Sequence, residues 1–148
     1  MAVPIAGIRR PALDPSPLSA PFWAAAARGE LAIQACTGCS KMHHPPVPVC
    51  PDCHGTAFDF AVVAGTGAIY ECSVMRQARV VGFEAMVPYA CVVVELDEQP
   101  GLLVVGNLLG APVEAARVGS AVRVHFEPYG QGDLQLPQFV LVAGAKAR

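Results

Sequence analysis

The sequence predicts a mainly β protein: an N-terminal helix, a small metal-held ribbon, and a five-stranded barrel. Three observations point there. Two Cys-x-x-Cys pairs, Cys36-Thr-Gly-Cys39 and Cys50-Pro-Asp-Cys53, stand ten residues apart. From Gly65 onward, runs of strand-forming residues alternate with glycine, proline and acidic turn signals. Ahead of the cysteines, Ser19–Arg28 is an alanine-rich stretch with a proline near its start and a glycine just after it.

The cysteine pairs set the local chemistry. A Cys-x-x-Cys turn can place two sulfurs on one ion, and two such turns joined by a short ribbon complete a tetrahedron. Cys36, Cys39, Cys50 and Cys53 are therefore the expected metal ligands. Four thiolates leave no open position, so a bound zinc would fold the ribbon rather than activate water. Iron, disulfides and free thiols are the alternatives. Iron is disfavoured because Cys36–Cys53 holds no aromatic residue except histidines. His43, His44 and His54 lie nearby, but four cysteines already fill the site, and surface histidines are the expectation for them.

The remaining elements follow in chain order. Met1–Pro17 reads as an extended arm. In the helix Ser19–Arg28, Ser19 is the expected N-cap, Pro21 lies in the first turn, and Gly29 ends it. Phe22, Trp23 and the alanines leave almost no polar face, so this helix has to be buried on its own barrel or on another chain. Leu31–Ala35 is a short strand of a two-stranded ribbon. Pro45, Pro46 and Pro48 suit its exposed edge, since proline donates nothing to a ladder. Phe58–Val63 leaves the ribbon as a strand.

Five further strands are expected: from Gly65-Thr-Gly67 to about Arg79, then Val87–Leu96, Leu102–Leu109, a run through Val122, Val124 and Phe126, and Gln138–Ala143. Ala111–Val118 is a connector with room for one helical turn, and Arg123, His125 and Glu127 give the fourth strand a wet face. Five strands suit a small closed barrel of the OB type, with a sandwich fragment as the alternative. The divisions are an arm and helix over 1–30, a ribbon over 31–63 and a barrel over 64–148.

Composition narrows the function. The chain has 148 residues, of which 53% are hydrophobic and 15% charged. Its mean hydropathy is +0.44. That excludes disorder, and part of the apolar surplus reads as cover for a partner. The net charge is −2 and the ten basic residues are scattered, so the footprint of a nucleic-acid binder is missing. Met1–Arg10 shows no secretory h-region, and apolar runs such as Leu102–Val105 fall far short of a membrane span, so a cytoplasmic protein is expected.

Catalytic groups are not assigned. Cys72 and Cys91 fall in strands and read as inert core thiols. Glu95, Asp97 and Glu98 are the one local carboxylate cluster, at a strand end where a solvated turn is the usual explanation. Arg76, Arg79 and Arg123 are candidates to meet phosphates, with ordinary surface arginines the equal alternative, so no substrate-binding residue is named.

Taken in order, the motifs resemble a known family. They are Leu31 and the first cysteine pair, Pro45-Pro46, Cys50-Pro-x-Cys53, Gly65-x-Gly67, Pro88-Tyr89, Glu95-Leu-Asp-Glu98, Gly106-Asn107 and Gly119-x-x-Val122. Over roughly Ser19–Val142 the chain is similar to the acyl-CoA-associated OB-fold proteins with a rubredoxin-like zinc ribbon, catalogued as domain of unknown function 35. It departs at Ser40 and His54, where glycine is common, and at Gln99-Pro100 after the acidic pair. The resemblance implies a structural zinc and a non-catalytic accessory subunit in acyl-CoA metabolism of the lipid or sterol type. Its partner would be a thiolase-like enzyme, an aldolase or an enoyl-CoA hydratase, and a share in holding the acyl-CoA is a further implication. Single-stranded nucleic-acid binding through the OB surface is the competing reading.

Overall fold

A computed structural model describes residues 13–130 and 133–144. The first twelve residues of the expected arm lie outside the described residues. Helix α1 runs Ala20–Ala27. Its start corrects one expectation, because the Ser19 side chain does not cap it. Ser19 is already in the helical region, and its hydroxyl donates to the Ser16 carbonyl at 3.2 Å. The Ser16 carbonyl also accepts the Ser19 and Ala20 N–H groups, so a turn closes the helix start. At the far end Gly29, at φ 76°, donates to the Ala26 carbonyl. Phe22, Ala25 and Ala26 are buried, and the helix packs against the first and last strands of its own chain.

Strand β1 (Leu31–Cys36) is the centre of a three-stranded sheet, flanked by β2 (Met42–His43) and β3 (Phe58–Val63). The expected two-stranded ribbon is thus corrected: β3 pairs β1 along its whole length, from Leu31↔Val63 to Cys36↔Phe58. The prolines do not form an edge strand either. β2 is two residues long and ends before the cis His44–Pro45 bond, because Pro45, Pro46 and Pro48 remove the donors a ladder needs.

The remaining strands are β4 (Thr66–Met75), β5 (Tyr89–Leu96), β6 (Leu103–Leu109), β7 (Ala121–Pro128) and β8 (Gln135–Leu141). They close into a ring in the order β4-β5-β6-β8-β7, with Gly67 pairing Val122 at the closure. β6 and β8 run parallel and the other pairs antiparallel. The connector holds a single 3-10 turn, Val113–Ala115. The last strand begins three residues earlier than Gln138, with Pro137 inside it opposite Phe126.

Period-two patterning fills the ring. Ala90, Val92, Val94 and Leu96 of β5 point inward, while Arg123 and His125 of β7 face solvent. The core is continuous beyond the ring: Phe22 of α1 and Leu31 and Ile33 of β1 join Ile69, Val92, Val94, Val104 and Phe139. The Gly65-x-Gly67 motif has a steric cause. A Cβ on Gly67 would collide with the Glu95 carbonyl oxygen, and one on Gly65, at φ 72°, with the Val124 side chain.

Candidate metal centre

The two cysteine turns are near copies of one another. Cys36 ends β1, and the Ser40 N–H returns to its carbonyl at 2.8 Å; the His54 N–H returns to the Cys50 carbonyl at 2.9 Å. Ser40 and His54 both have φ 62°, which explains why glycine suits these two positions. Each turn thereby folds back and aims its N–H groups at sulfur.

The four sulfurs meet. Every pair of Sγ atoms from Cys36, Cys39, Cys50 and Cys53 lies within 4.8 Å. Cys36 and Cys53 are 3.5 Å apart, Cys39 and Cys50 3.6 Å. Disulfides would need about 2.05 Å. Four sulfurs at about 2.3 Å from a central zinc stand roughly 3.8 Å apart, so the observed spacing fits a tetrahedral ion with little adjustment.

Electrostatics agree with that donor set. The Cys39 N–H, offered to the Cys36 sulfur, brings that thiol down to about 7 against the pull of burial. Cys39 receives the Lys41 N–H, yet burial and the neighbouring sulfurs together push it up to about 12. Burial opposes ionisation of Cys50, but the N–H groups of Cys53 and Asp52 and the His43 ring outweigh it. Four thiolates this close cannot all ionise unaided, and a divalent cation would supply the missing charge.

Two histidine expectations are corrected. His43 is half-buried, with Nε2 at 3.4 Å from the Cys50 sulfur and its ring edge-on to Phe58 at 6.3 Å. Phe58 thus stands beside the cluster, brought there by β3 rather than by the segment between the cysteines. His44 turns the other way, its ring 5.0 Å from Phe22, and burial lowers its pKa from the ordinary 6.5. His54 is exposed, as expected.

Glutamines that sequence reasoning passed over hold this region in place. Gln34, buried in β1, donates to the Val47 carbonyl at 2.9 Å and accepts its N–H at 2.8 Å. Gln99, from the β5–β6 turn, does the same to Met42, both bonds at 3.0 Å. One departure from the family pattern is therefore the residue that clips ribbon to ring. The signal for Gln34 was present, as an amide in the otherwise apolar run Leu-Ala-Ile-Gln-Ala-Cys.

The carboxylate cluster is a solvated turn, with Asp97 and Glu98 exposed. Glu95 accepts the Gly101 N–H at 2.8 Å and Glu98 the Ala64 N–H at 2.9 Å. Cys72 donates to the Ala116 carbonyl at 3.3 Å, and burial raises the Cys91 thiol. Arg76, Arg79 and Arg123 are exposed. Beside the ribbon, a cleft of about 370 Å³ opens between α1, the proline loop and β8, walled by Phe22, Trp23, His44, Pro45, Pro46 and Pro137. Among the described residues no helix is long and apolar enough to cross a membrane.

A helix-fronted cysteine ribbon joined to a closed five-stranded ring defines the class: a zinc-ribbon/OB-fold protein. Residues 23–59 match the model of the ChsH2 rubredoxin-like zinc ribbon domain, and residues 61–127 that of the ChsH2 C-terminal OB-fold domain. The solved structure of an Ltp2-ChsH2(DUF35) aldolase contains a chain 33% identical to this one, with a TM-score of 0.76, covering 89% of this chain and 98% of that one. A DUF35 protein of unknown function from Sulfolobus solfataricus shares the fold at 10% identity and a TM-score of 0.60, covering 86% and 87% of the two chains. The 3-oxo-4,17-pregnadiene-20-carboxyl-CoA hydratase alpha subunit of Mycobacterium tuberculosis is 30% identical over 122 residues, 77% of this chain. The chain spans 38% of that relative's length. This chain belongs to the ChsH2 (DUF35) family.

Proposed function

We propose that this protein is a non-catalytic accessory subunit that docks on and supports a thiolase-like, aldolase or enoyl-CoA hydratase partner in acyl-CoA metabolism. The observation that carries the reading is the match to 98% of the ChsH2(DUF35) chain in an Ltp2-ChsH2(DUF35) aldolase. In this reading the partner performs the chemistry, and this chain has a share in holding the acyl-CoA. Nucleic acid and membrane are not partners. The division is 1–30, 31–63 and 64–148, and the reducing cytoplasm keeps the thiols available.

Cys36, Cys39, Cys50 and Cys53 hold one structural zinc in the same proposal. When bound, the ion neutralises the four thiolates and ties the two turns together. The chain's own part is to aim backbone N–H groups at the sulfurs, to pin the proline loop through Gln34 and to pin β2 through Gln99.

The test is recovery of the full-length chain from its native host, identification of the co-purifying enzyme subunit, and reconstitution of the pair. A complex that survives gel filtration, and in which this chain raises the partner's acyl-CoA turnover or stability, is the expected result. A monomer that neither binds a thiolase-like or hydratase subunit nor alters its activity would overturn the proposal.

A further inference from the structure

The two cysteine turns differ in one respect. At the first, Gly38 and Cys39 offer N–H groups to the Cys36 sulfur, and at the second, Asp52 and Cys53 offer theirs to Cys50. Cys50 alone has an imidazole beside it as well, with His43 Nε2 at 3.4 Å. We propose that His43 is a positioning residue of the metal centre, donating Nε2–H to the Cys50 thiolate and so slowing loss of the ion at that corner. This rests on the zinc reading above.

The fold fixes the ring for that role. His43 pairs with Gln34 of β1, and Gln99 clamps the backbone of its neighbour Met42 on both sides. Phe58, opposite Cys36 on β3, meets the imidazole edge-on at an interplanar angle of 85°. The ring therefore has little freedom to swing from the sulfur. A donor is also needed there. Cys50 is fully buried, and the Asp52 carboxylate lies in the same cluster within 4.8 Å, adding a second anion. An N–H to a buried thiolate withdraws charge from sulfur, keeps the ligand aimed at the metal and makes its protonation by solvent harder. A fifth ligand is not required, since four sulfurs complete the tetrahedron.

The experiment compares the full-length wild type with His43→Phe, which keeps an aromatic against Phe58, and His43→Gln, which restores a terminal N–H. Zinc content is measured first, then the rate of zinc transfer to a chromogenic chelator, then the thiolate-to-metal charge-transfer band after cobalt substitution. All three proteins are expected to hold one zinc. His43→Phe should release it about tenfold faster or more, in line with other outer contacts to metal ligands. Its cobalt band should move to longer wavelength, and His43→Gln should recover most of both effects. Wild-type release and an unmoved band in His43→Phe would overturn the proposal. So would a His43→Gln protein indistinguishable from His43→Phe, since ring packing rather than the N–H would then matter. A wild type that carries no zinc would overturn the metal reading itself, a distinct failure.

Discussion

The cysteine end of the ribbon and the five-stranded ring are both built of β structure, yet different forces hold them. In the ring, Ile69, Val92, Val94, Val104 and Phe139 are essentially inaccessible, and each such side chain contributes about 1.5–3 kcal/mol on burial. Between Cys36 and Cys53, by contrast, the side chains that reach that burial are Cys36 and Cys50. Backbone returns, the Gln34 and Gln99 amides and four convergent sulfurs replace a core there. The ring should therefore fold on apolar burial alone, while the cysteine end should fold only with its ion. A segment too short to bury itself can still be held in place by backbone returns and paired side-chain amides.

The sharpest way to break this contrast is Cys53→Ser. Removing one ligand should abolish stoichiometric zinc and the several kcal/mol of folding energy linked to it, on the order of 10 kcal/mol in small zinc modules. Amide exchange should then rise sharply over residues 36–57 while β5, β6 and β8 stay protected. A variant that keeps its zinc and its melting temperature would show that the four-thiolate assignment is wrong.

Gly67→Ala attacks the other side. Its Cβ meets the Glu95 backbone, so about 3 kcal/mol of stability should be lost with zinc content unchanged. Denaturant unfolding followed with metal analysis checks both halves. Equal loss of zinc would mean that ring and ribbon are not separable.

Gln34→Leu is smaller and tests the joint. It strands the Val47 N–H and carbonyl, at a cost of about 2 kcal/mol, and should loosen the proline loop enough to alter Trp23 emission across the cleft. Unaltered stability and fluorescence would remove Gln34 from the account.

The least effect is expected from acid. Burial holds the His44 pKa below 6.5, so the folded state prefers the neutral ring. Its contribution is complete above pH 6.5 and declines as pH falls below that value, because the unfolded chain takes up the proton first. The slope is at most about 1.4 kcal/mol per pH unit. Comparing unfolding midpoints of wild type and His44→Phe between pH 7.5 and 5.5 isolates this term from the thiolates. A wild-type slope no steeper than the variant's would place His44 in solvent.

These contrasts also mark how far the residues could be read directly. Strand and helix identities were legible because the alternation of Val122, Val124 and Phe126 with Arg123, His125 and Glu127 and the proline-to-glycine frame of Ala20–Ala27 are local signals. Less legible were the ends. Ser19 looked like a cap, but the preceding turn from Ser16 took its place. β8 began early because Pro137 could be accommodated opposite Phe126, a fact of pairing that no window of sequence contains. The acidic turn is solvated at Asp97 and Glu98, as expected, and the structure adds that Glu98 and Glu95 accept the Ala64 and Gly101 N–H groups.

By itself, the sequence determined the four cysteines that converge as the candidate metal centre, the order of helix, ribbon and five strands, and the family. Spacing within a turn, side-chain alternation and ligand chemistry are properties of neighbours along the chain, so these could be read directly. The tertiary structure alone decided that β3 returns to pair β1, and that the helix lies on its own barrel. It also decided that Gln99 reaches Met42 across 57 residues, and that His43 faces the Cys50 sulfur while His44 faces Phe22. Such contacts depend on which long-range pairings bury the most apolar surface while leaving no buried amide unpaired, a balance struck over the whole molecule at once.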